Sequence, residues 1–379
     1  MMSIVMKKIQ KYTAASLAAL LIVLFSWLPL NGQAQIERTE RPKNVILMIG
    51  DGMGISQLSS AYYFPDKKDA DREPSFSRFK YIGLVKTSSG REVVTQSPAA
   101  ATALATGYKT YNSAVGVDLD TVVRENIVEI LSRKGYMTGV IATSYVTDAT
   151  PAGFYAHQPE RYMQKEIAMD LLKSDIDFFA GGGSKYFRDS TGVFPFKEHG
   201  IEVNYRKLKK IRKPEPGNRY GFLLDLDYMP RMLDGRGDFL PRSTSIAVDF
   251  LSTGEAGYFL MVEGSQIDWA GHVNDVDYMK AEVNDFERTI NAVMDYAEKN
   301  GETLVIVTAD HETGGFTLGA SGENDGYGDY SIIEPRFAST NHSAALVPVF
   351  AFGPGAENFI GVYENTEIFR KLVSLMESE

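Results

Sequence analysis

Asn44–Gly54, NVILMIGDGMG, is an apolar run that stops in a glycine-rich turn. The run from Asn44 to Ile49 shows no alternation of apolar and polar residues. It therefore reads as a strand buried on both faces, as in a parallel sheet covered by helices. The turn Gly50-Asp51-Gly52-Met53-Gly54 then delivers a helical stretch starting near Ile55. Asp51 thus stands at the carboxyl end of a strand, where open α/β sheets place their ligands. A G-x-G alone is a weak signal, and the dinucleotide-binding fingerprint is not completed.

The same unit recurs along the chain. Phe79–Ser89, Tyr136–Thr143, Asp177–Gly183, Gly257–Val262, Thr303–Thr308 and Leu346–Phe352 read as further strands. Helical stretches are expected over Asn126–Lys134, Thr244–Leu251 and Val276–Lys299, with a last one from Glu367. Buried strands alternating with helices predict an α/β fold. We expect a three-layer doubly wound sandwich with a mostly parallel central sheet and a small crown-like insertion. Residues 185–237 turn polar and read as a surface excursion, with Arg206–Lys213 as a solvated basic face. Residues 312–341 read as a loop-like, glycine-rich insertion. Asp148–Ala152 reads as a loop, because Pro151 biases Thr150 toward an extended conformation. His157 and Arg161, four apart, fall on one face of an expected helix start, and His157 reads as a structural histidine.

Lys7, Lys8 and Lys11 precede an apolar run from Ala14 to Leu30, and Gly32-Gln33-Ala34 supplies small residues after it. This is the pattern of a secretory signal peptide over 1–34, with one catalytic domain over 35–379. The expected location is periplasmic or extracellular, with no stable membrane span after cleavage. There is no cysteine, so no disulfide scaffold. The hydrophobic share of 44% and charged share of 23% are those of a globular protein. The net charge is −10, and losing the leader makes it more negative. An acidic surface argues against nucleic-acid binding. An anionic substrate then needs local positive charge from metal ions or an arginine.

Val93–Gly107, VVTQSPAAATALATG, sets Ser97 before Pro98 and an alanine-rich helix former. Ser97 is expected at the helix N-cap, where the dipole and backbone N–H groups favour an anion. Of five histidines, His272, His311 and His342 stand in loops at or near strand ends beside polar or acidic residues. Asp268 and His272 are four apart, hence on one face if that turn is helical. Asp310 adjoins His311, and Asp51 and Glu263 also lie just past buried strands. Carboxylates gathered at one sheet end cannot all stay ionised without compensation, and metal ions are the natural compensator. Mixed imidazole and carboxylate ligands suit zinc, and all-oxygen ligands suit magnesium. With a hydroxyl nucleophile nearby, metal-assisted hydrolysis leads.

These motifs resemble the alkaline phosphatase family. TQSPAAATALATG is similar to its nucleophile motif. GDGMG at 50–54, DATPA at 148–152 with Arg161 downstream, VEGSQID with His272, TADHETGG at 308–315 and the Asn341-His342 pair resemble its metal and phosphate motifs, in the family's order. The resemblance implies hydrolysis of phosphate monoesters through a phosphoserine at Ser97, with Arg161 gripping the phosphate. It implies one zinc on Asp268, His272 and His342 and a second on Asp51, Asp310 and His311. Asp51 would also bridge to a magnesium held by Asp148, Thr150 and Glu263. A homodimer is implied by the resemblance alone. Two departures stand out. Gln96 precedes the nucleophile where many members carry Asp, which predicts weaker phosphate retention. Trp269 follows Asp268 where other members often have a polar or basic residue. Alternatives are a phosphodiesterase of the same superfamily and a secreted metal- or phosphate-binding protein without turnover. The signal peptide argues against a cytosolic phosphoglycerate mutase, and Ser97-Pro98 lacks the sulfatase context.

Overall fold

The computed structural model describes residues 41–67, 71–189, 192–194, 196–211, 217–324 and 327–377. Among them, ten strands build the central sheet. They are β1 (Asn44–Gly50), β2 (Tyr81–Lys86), β3 (Met137–Tyr145), β4 (Phe178–Gly182), β5 (Ile201–Asn204), β6 (Arg219–Leu223), β7 (Tyr258–Gly264), β8 (Thr303–Thr308), β9 (Val347–Phe352) and β10 (Gly361–Glu364). Their order is β10-β2-β9-β8-β1-β7-β3-β4-β6-β5. Every residue of β1, β7 and β8 is buried, which is why their sequences are continuously apolar. In register, Asn44 lies opposite Tyr258 on one side and Thr303 on the other. Only β9 runs against its neighbours.

That polarity positions the site. β1, β3, β7 and β8 are parallel, so all four deliver their following residues to one edge of the sheet. β9 is antiparallel, so the residues just before it reach the same edge. Helices complete the sandwich in two groups. Val276–Asn300 packs against Ile55–Tyr63, Phe239–Leu251 and Gln266–His272, while Ser97–Thr106, Ile127–Ser132 and Thr366–Met376 pack together.

The α/β class and mostly parallel sheet are as expected, with three local corrections. The 185–237 stretch is more than a surface excursion: it contributes β5 and β6, which extend the sheet in parallel beyond β4. Their apolar signal is short, and β5 buries fully only Ile201. The insertion at 312–341 is largely an antiparallel pair, Thr317–Asn324 with Tyr327–Arg336, whose register shifts break the alternation. Ala149–Ala152 is a helical turn rather than an extended loop. Asp148 caps it, and Pro151 sits in the first turn, where a missing N–H has no helical acceptor to lose. The expected leader over 1–34 lies outside the described residues. Among the described residues, no helix is long and apolar enough to cross a membrane.

A buried ionic cluster ties Val276–Asn300 to the loop before Phe239. The Arg236 guanidinium donates to Glu282 and, at 2.9 Å, to Asp285, which also accepts from Arg288 at 2.9 Å. All but Arg288 are essentially inaccessible. Removing the cation leaves the buried Glu282 carboxylate without a counter-charge and Asp285 with Arg288 alone. Arg236→Met should therefore cost about 3–5 kcal/mol in urea unfolding; a loss below about 1 kcal/mol would show that the cluster adds little.

Candidate active site at the carboxyl edge

Asp51 follows β1 directly, and Asp310 and His311 follow β8. Glu263 is the penultimate residue of β7. Asp268 and His272 lie one turn apart on Gln266–His272, which is helical as their spacing required. His342 arrives just before β9. Gly52 lets the chain pass between these groups: it has φ +72°, and a Cβ there would stand 2.8 Å from the Asp268 Cα. Its N–H donates to Asp310 Oδ1 at 3.0 Å.

The side chains gather in two adjoining nests. In the first, Asp268 lies 3.3 Å from His272 Nε2 and 3.5 Å from His342 Nε2, and the two Nε2 atoms are 3.1 Å apart. Both Nδ1 atoms face carbonyl oxygens, Thr340 at 2.7 Å and Thr95 at 2.8 Å. A carbonyl accepts only, so both Nδ1 atoms carry protons, and in the neutral rings two Nε2 lone pairs converge. That arrangement favours a cation between them. In the second nest, His311 Nε2 lies 3.1 Å from Asp310 and 3.6 Å from Asp51. The Thr313 hydroxyl donates to Asp268 at 2.5 Å, so it accepts from His311 Nδ1 at 3.2 Å and leaves Nε2 free for a cation. The His311 and His342 rings stack at 3.6 Å, which makes the nests contiguous.

Protonation reports the strain of this crowd without a cation. Burial, then Asp310, pushes Asp51 well above the usual carboxylate range. Burial pushes Glu263 up to about 8 despite its bond from Ser265 at 2.7 Å. Burial opposes ionisation of Asp268, but the His272 bond and neighbouring imidazoles hold it at about 2. His272 rises to about 9 through Asp268, while burial and His311 bring His342 down to about 4. Asp51 Oδ1 and Asp310 Oδ2 are buried without a hydrogen-bond partner. Ligand atoms of Asp51, Asp310 and His311, and of Asp268, His311 and His342, lie within 4.8 Å of one another. Orphaned carboxylate oxygens beside clustered imidazole nitrogens make donor sets that suit divalent metals.

The oxygen-rich third group is looser. Glu263 feels the charges of Asp148 and Asp310, and Thr150 is buried nearby in the capped turn. Asp148 Oδ1, however, accepts from Arg161 Nη2 and from its neighbour Ala149 N–H, each at 2.8 Å.

Ser97 is the first residue of its helix rather than the cap. Gln96 takes the cap position without a side-chain bond, so the Ser97 hydroxyl has no capping duty. It lies 3.3 Å from His311 Nε2, in a nearly inaccessible setting at the junction of the nests. Arg161 and His157 precede the helix Gln164–Lys173 rather than sharing its face. Gln96 Oε1 accepts from Ser113 at 3.4 Å, while the guanidinium of Arg161 turns to Asp148. Trp269 is half-buried and packs against Tyr228, ring centroids 4.9 Å apart. Thr313 was missed as a site residue. The signal was present, since it lies inside TADHETGG.

His157 is structural, as read from the sequence. Its Nδ1 meets the Gly116 carbonyl at 2.9 Å and its Nε2 meets Glu129 at 3.0 Å. Burial opposes its charge, but Glu129 outweighs this and raises the pKa above 6.5. Burial is likewise outweighed on Glu129, whose pKa falls below 4.5. The His157 share of stability is full below 6.5 and fades as pH rises through the raised value; the Glu129 share is present above 4.5 and fades on acidification. Glu129→Gln keeps an acceptor for the Asn126 N–H in the capping box. It should cost about 0.5–1 kcal/mol near pH 6 and little at pH 9. Equal losses at both pH values would contradict the ion pair.

Comparison with known proteins matches this geometry. The family model "Alkaline phosphatase" matches residues 42–222 and 223–332. Alkaline phosphatase 3 of Bacillus subtilis is 38% identical over 414 aligned positions, covering 88% of this chain and 89% of that protein. The structure of alkaline phosphatase from the Antarctic bacterium TAB5 superposes with a TM-score of 0.86 at 47% identity, covering 90% of this chain and all of the other. A TAB5 variant, His 135 Asp, with magnesium bound in its M3 site, superposes with a TM-score of 0.85 at 48% identity and the same coverage. The fold, the metal-fitting nests and these likenesses agree: the chain belongs to the alkaline phosphatase family and is a phosphoric monoester hydrolase.

Proposed function

We propose that this chain cleaves phosphate monoesters in two displacements at Ser97. The carrying observation is a buried hydroxyl at a helix start, free of capping bonds and 3.3 Å from His311 Nε2, where the two nests meet. Ser97 Oγ loses its proton and attacks phosphorus, the ester oxygen leaves as the alcohol, and a phosphoserine remains. Water then attacks phosphorus from the vacated side, and Ser97 departs as a hydroxyl. Arg161 exchanges part of its Asp148 contact for two non-bridging oxygens, which its fork geometry matches. The Ser97 helix turns its first N–H groups toward the phosphoryl anion, apart from Pro98, which has none.

Asp268, His272 and His342 would hold one zinc, and Asp51, Asp310 and His311 the second. Asp51, Asp148, Thr150 and Glu263 form an all-oxygen set for magnesium, and the magnesium in the M3 site of the TAB5 variant supports that choice. When bound, such ions stabilise the entering and leaving oxygens of an in-line displacement and acidify water. Gln96, facing Ser113, leaves Arg161 without a second carboxylate partner, which supports loose retention of product phosphate. We further propose export behind the 1–34 leader, action as a homodimer, and no role for nucleic acid.

The test is an acid quench of metal-loaded protein during turnover of a chromogenic phosphate monoester, followed by peptide mass spectrometry. Phosphate on Ser97 is expected, with slower turnover of a diester and of a sulfate ester. Label at another residue, or diester turnover exceeding monoester turnover, would overturn the reading.

A further inference from the structure

Arg161 lies in a stretch without helix or strand. Its neighbour Tyr162 is 79% exposed, and Glu160 is exposed too, so packing does little to fix the main chain there. Hydrogen bonds do: a turn bond from the Met163 N–H to the Glu160 carbonyl at 3.1 Å spans Arg161, and its own backbone makes two more. The Arg161 N–H donates to the Ser113 carbonyl at 2.8 Å, and the Arg161 carbonyl accepts from Gln164 Nε2 at 2.7 Å. Gln164 is itself oriented. Its Oε1 accepts at 2.5 Å from the hydroxyl of Thr147, a fully buried residue. A carbonyl only accepts, so the amide nitrogen faces Arg161 and Oε1 is left to take the Thr147 proton. Thr147 adjoins Asp148, whose carboxylate takes the Arg161 guanidinium at 2.8 Å. The four residues close a ring: Thr147 to Gln164, Gln164 to the Arg161 backbone, and the Arg161 side chain back to Asp148.

The opposite anchor points the same way. Ser113 holds the left-handed conformation, φ 75°, and its hydroxyl meets Gln96. Its neighbour Asn112 accepts the Gln96 N–H at 2.9 Å. Asn112 and Ser113 therefore fasten both the residue before Ser97 and the backbone of Arg161. The separation of nucleophile and arginine is set by this loop on one side and by Gln164 on the other.

We propose that Gln164, oriented by Thr147, is a positioning residue that holds Arg161 at the reach phosphate requires. This rests on the reading of Arg161 as the phosphate clamp. Gln164 starts the helix Gln164–Lys173, but the cap position belongs to Met163, and the Gln164 amide serves the Arg161 carbonyl instead. Alanine is the better helix former, so removing the amide does not melt the helix. What it frees is the backbone beneath the guanidinium. A clamp that wanders holds phosphate and substrate less tightly, while the chemistry at Ser97 is touched less.

The test uses metal-loaded protein with verified metal content, and inorganic phosphate as the probe. Affinity is measured by calorimetry and by competitive inhibition of a chromogenic monoester. Gln164→Ala and Thr147→Val should each weaken phosphate binding about five- to tenfold and raise KM in step, with kcat changed less. Thr147→Ser, which keeps the hydroxyl, should bind as the parent does. In an Arg161→Ala background, Gln164→Ala should add nothing, because its effect runs through Arg161. Unchanged phosphate affinity in Gln164→Ala, with Arg161→Ala clearly weakened, overturns the positioning role alone. Equal weakening by Gln164→Ala with and without Arg161 also overturns it. Unchanged affinity in Arg161→Ala overturns the clamp reading itself.

Discussion

Ser97→Ala is expected to lower turnover of a phosphate monoester by about a thousandfold or more, while phosphate still binds. The argument is a contrast between two duties of one hydroxyl. Were Ser97 a cap, its loss would cost about 1 kcal/mol of stability and leave activity standing. The structure removes that duty: Gln96 occupies the cap position, and Ser97 is the first residue within the helix. Alanine at such a position is a good helix former, so the melting temperature should scarcely move. The metal-fitting nests and Arg161 do not depend on the hydroxyl, so the variant should retain its metals and its affinity for inorganic phosphate. Steady-state kinetics, phosphate calorimetry and a thermal melt decide the matter together. A variant that melts lower yet keeps most of its turnover would make Ser97 a structural residue and send the search for a nucleophile elsewhere.

The sheet was legible because its central strands are buried on both faces. NVILMI, GYFLMV and TLVIVT have no alternation to confuse, and each ends at a residue that sheet polarity places at the site. Asp268 and His272 were legible for a similar reason, since a spacing of four places two side chains together on one helical turn. What escaped depends on partners that sequence does not rank. β5 and β6 are short edge strands in a polar setting, and only pairing with β4 makes them strands. At Asp148–Ala152 the local preference of Pro151 pointed to extended chain, but the Asp148 cap and the first-turn position of the proline favoured a helical turn. Ser97 looked like a cap because serine before Pro-Ala usually is one. Its actual position, one residue further in, turns its hydroxyl to His311, over two hundred residues away in sequence. Thr313 acts by the same long-range logic: it fixes the protonation of His311 and binds Asp268, and neither link follows from local spacing.

Asp51→Asn should reverse the order of stability between metal-free and metal-loaded protein. Asp51 is buried beside Asp310, with Asp268 and Glu263 close enough to raise its pKa, and one of its oxygens has no hydrogen-bond partner. In metal-free protein at neutral pH this is a crowd of like charge in a low-dielectric setting, and it opposes folding. Asparagine keeps the shape and removes a charge, so the metal-free variant should melt above the metal-free parent. Divalent cations invert the balance. On the proposed reading the carboxylate that repelled its neighbours would become a ligand common to the second nest and the oxygen-rich group, and metal binding would add its free energy to folding. At a metal concentration a hundredfold above Kd that gain is about 2.7 kcal/mol for each site. The neutral amide forfeits much of it, so the metal-loaded variant should melt below the metal-loaded parent. Turnover should fall by about a hundredfold or more, since both displacements need the charge that the ions carry. Metal content measured after dialysis, and melts with and without chelator, give the four points. A variant that keeps the parent's metal content and the parent's response to chelator would show that Asp51 is a bystander to metal binding, and the orphaned oxygens would then need another explanation.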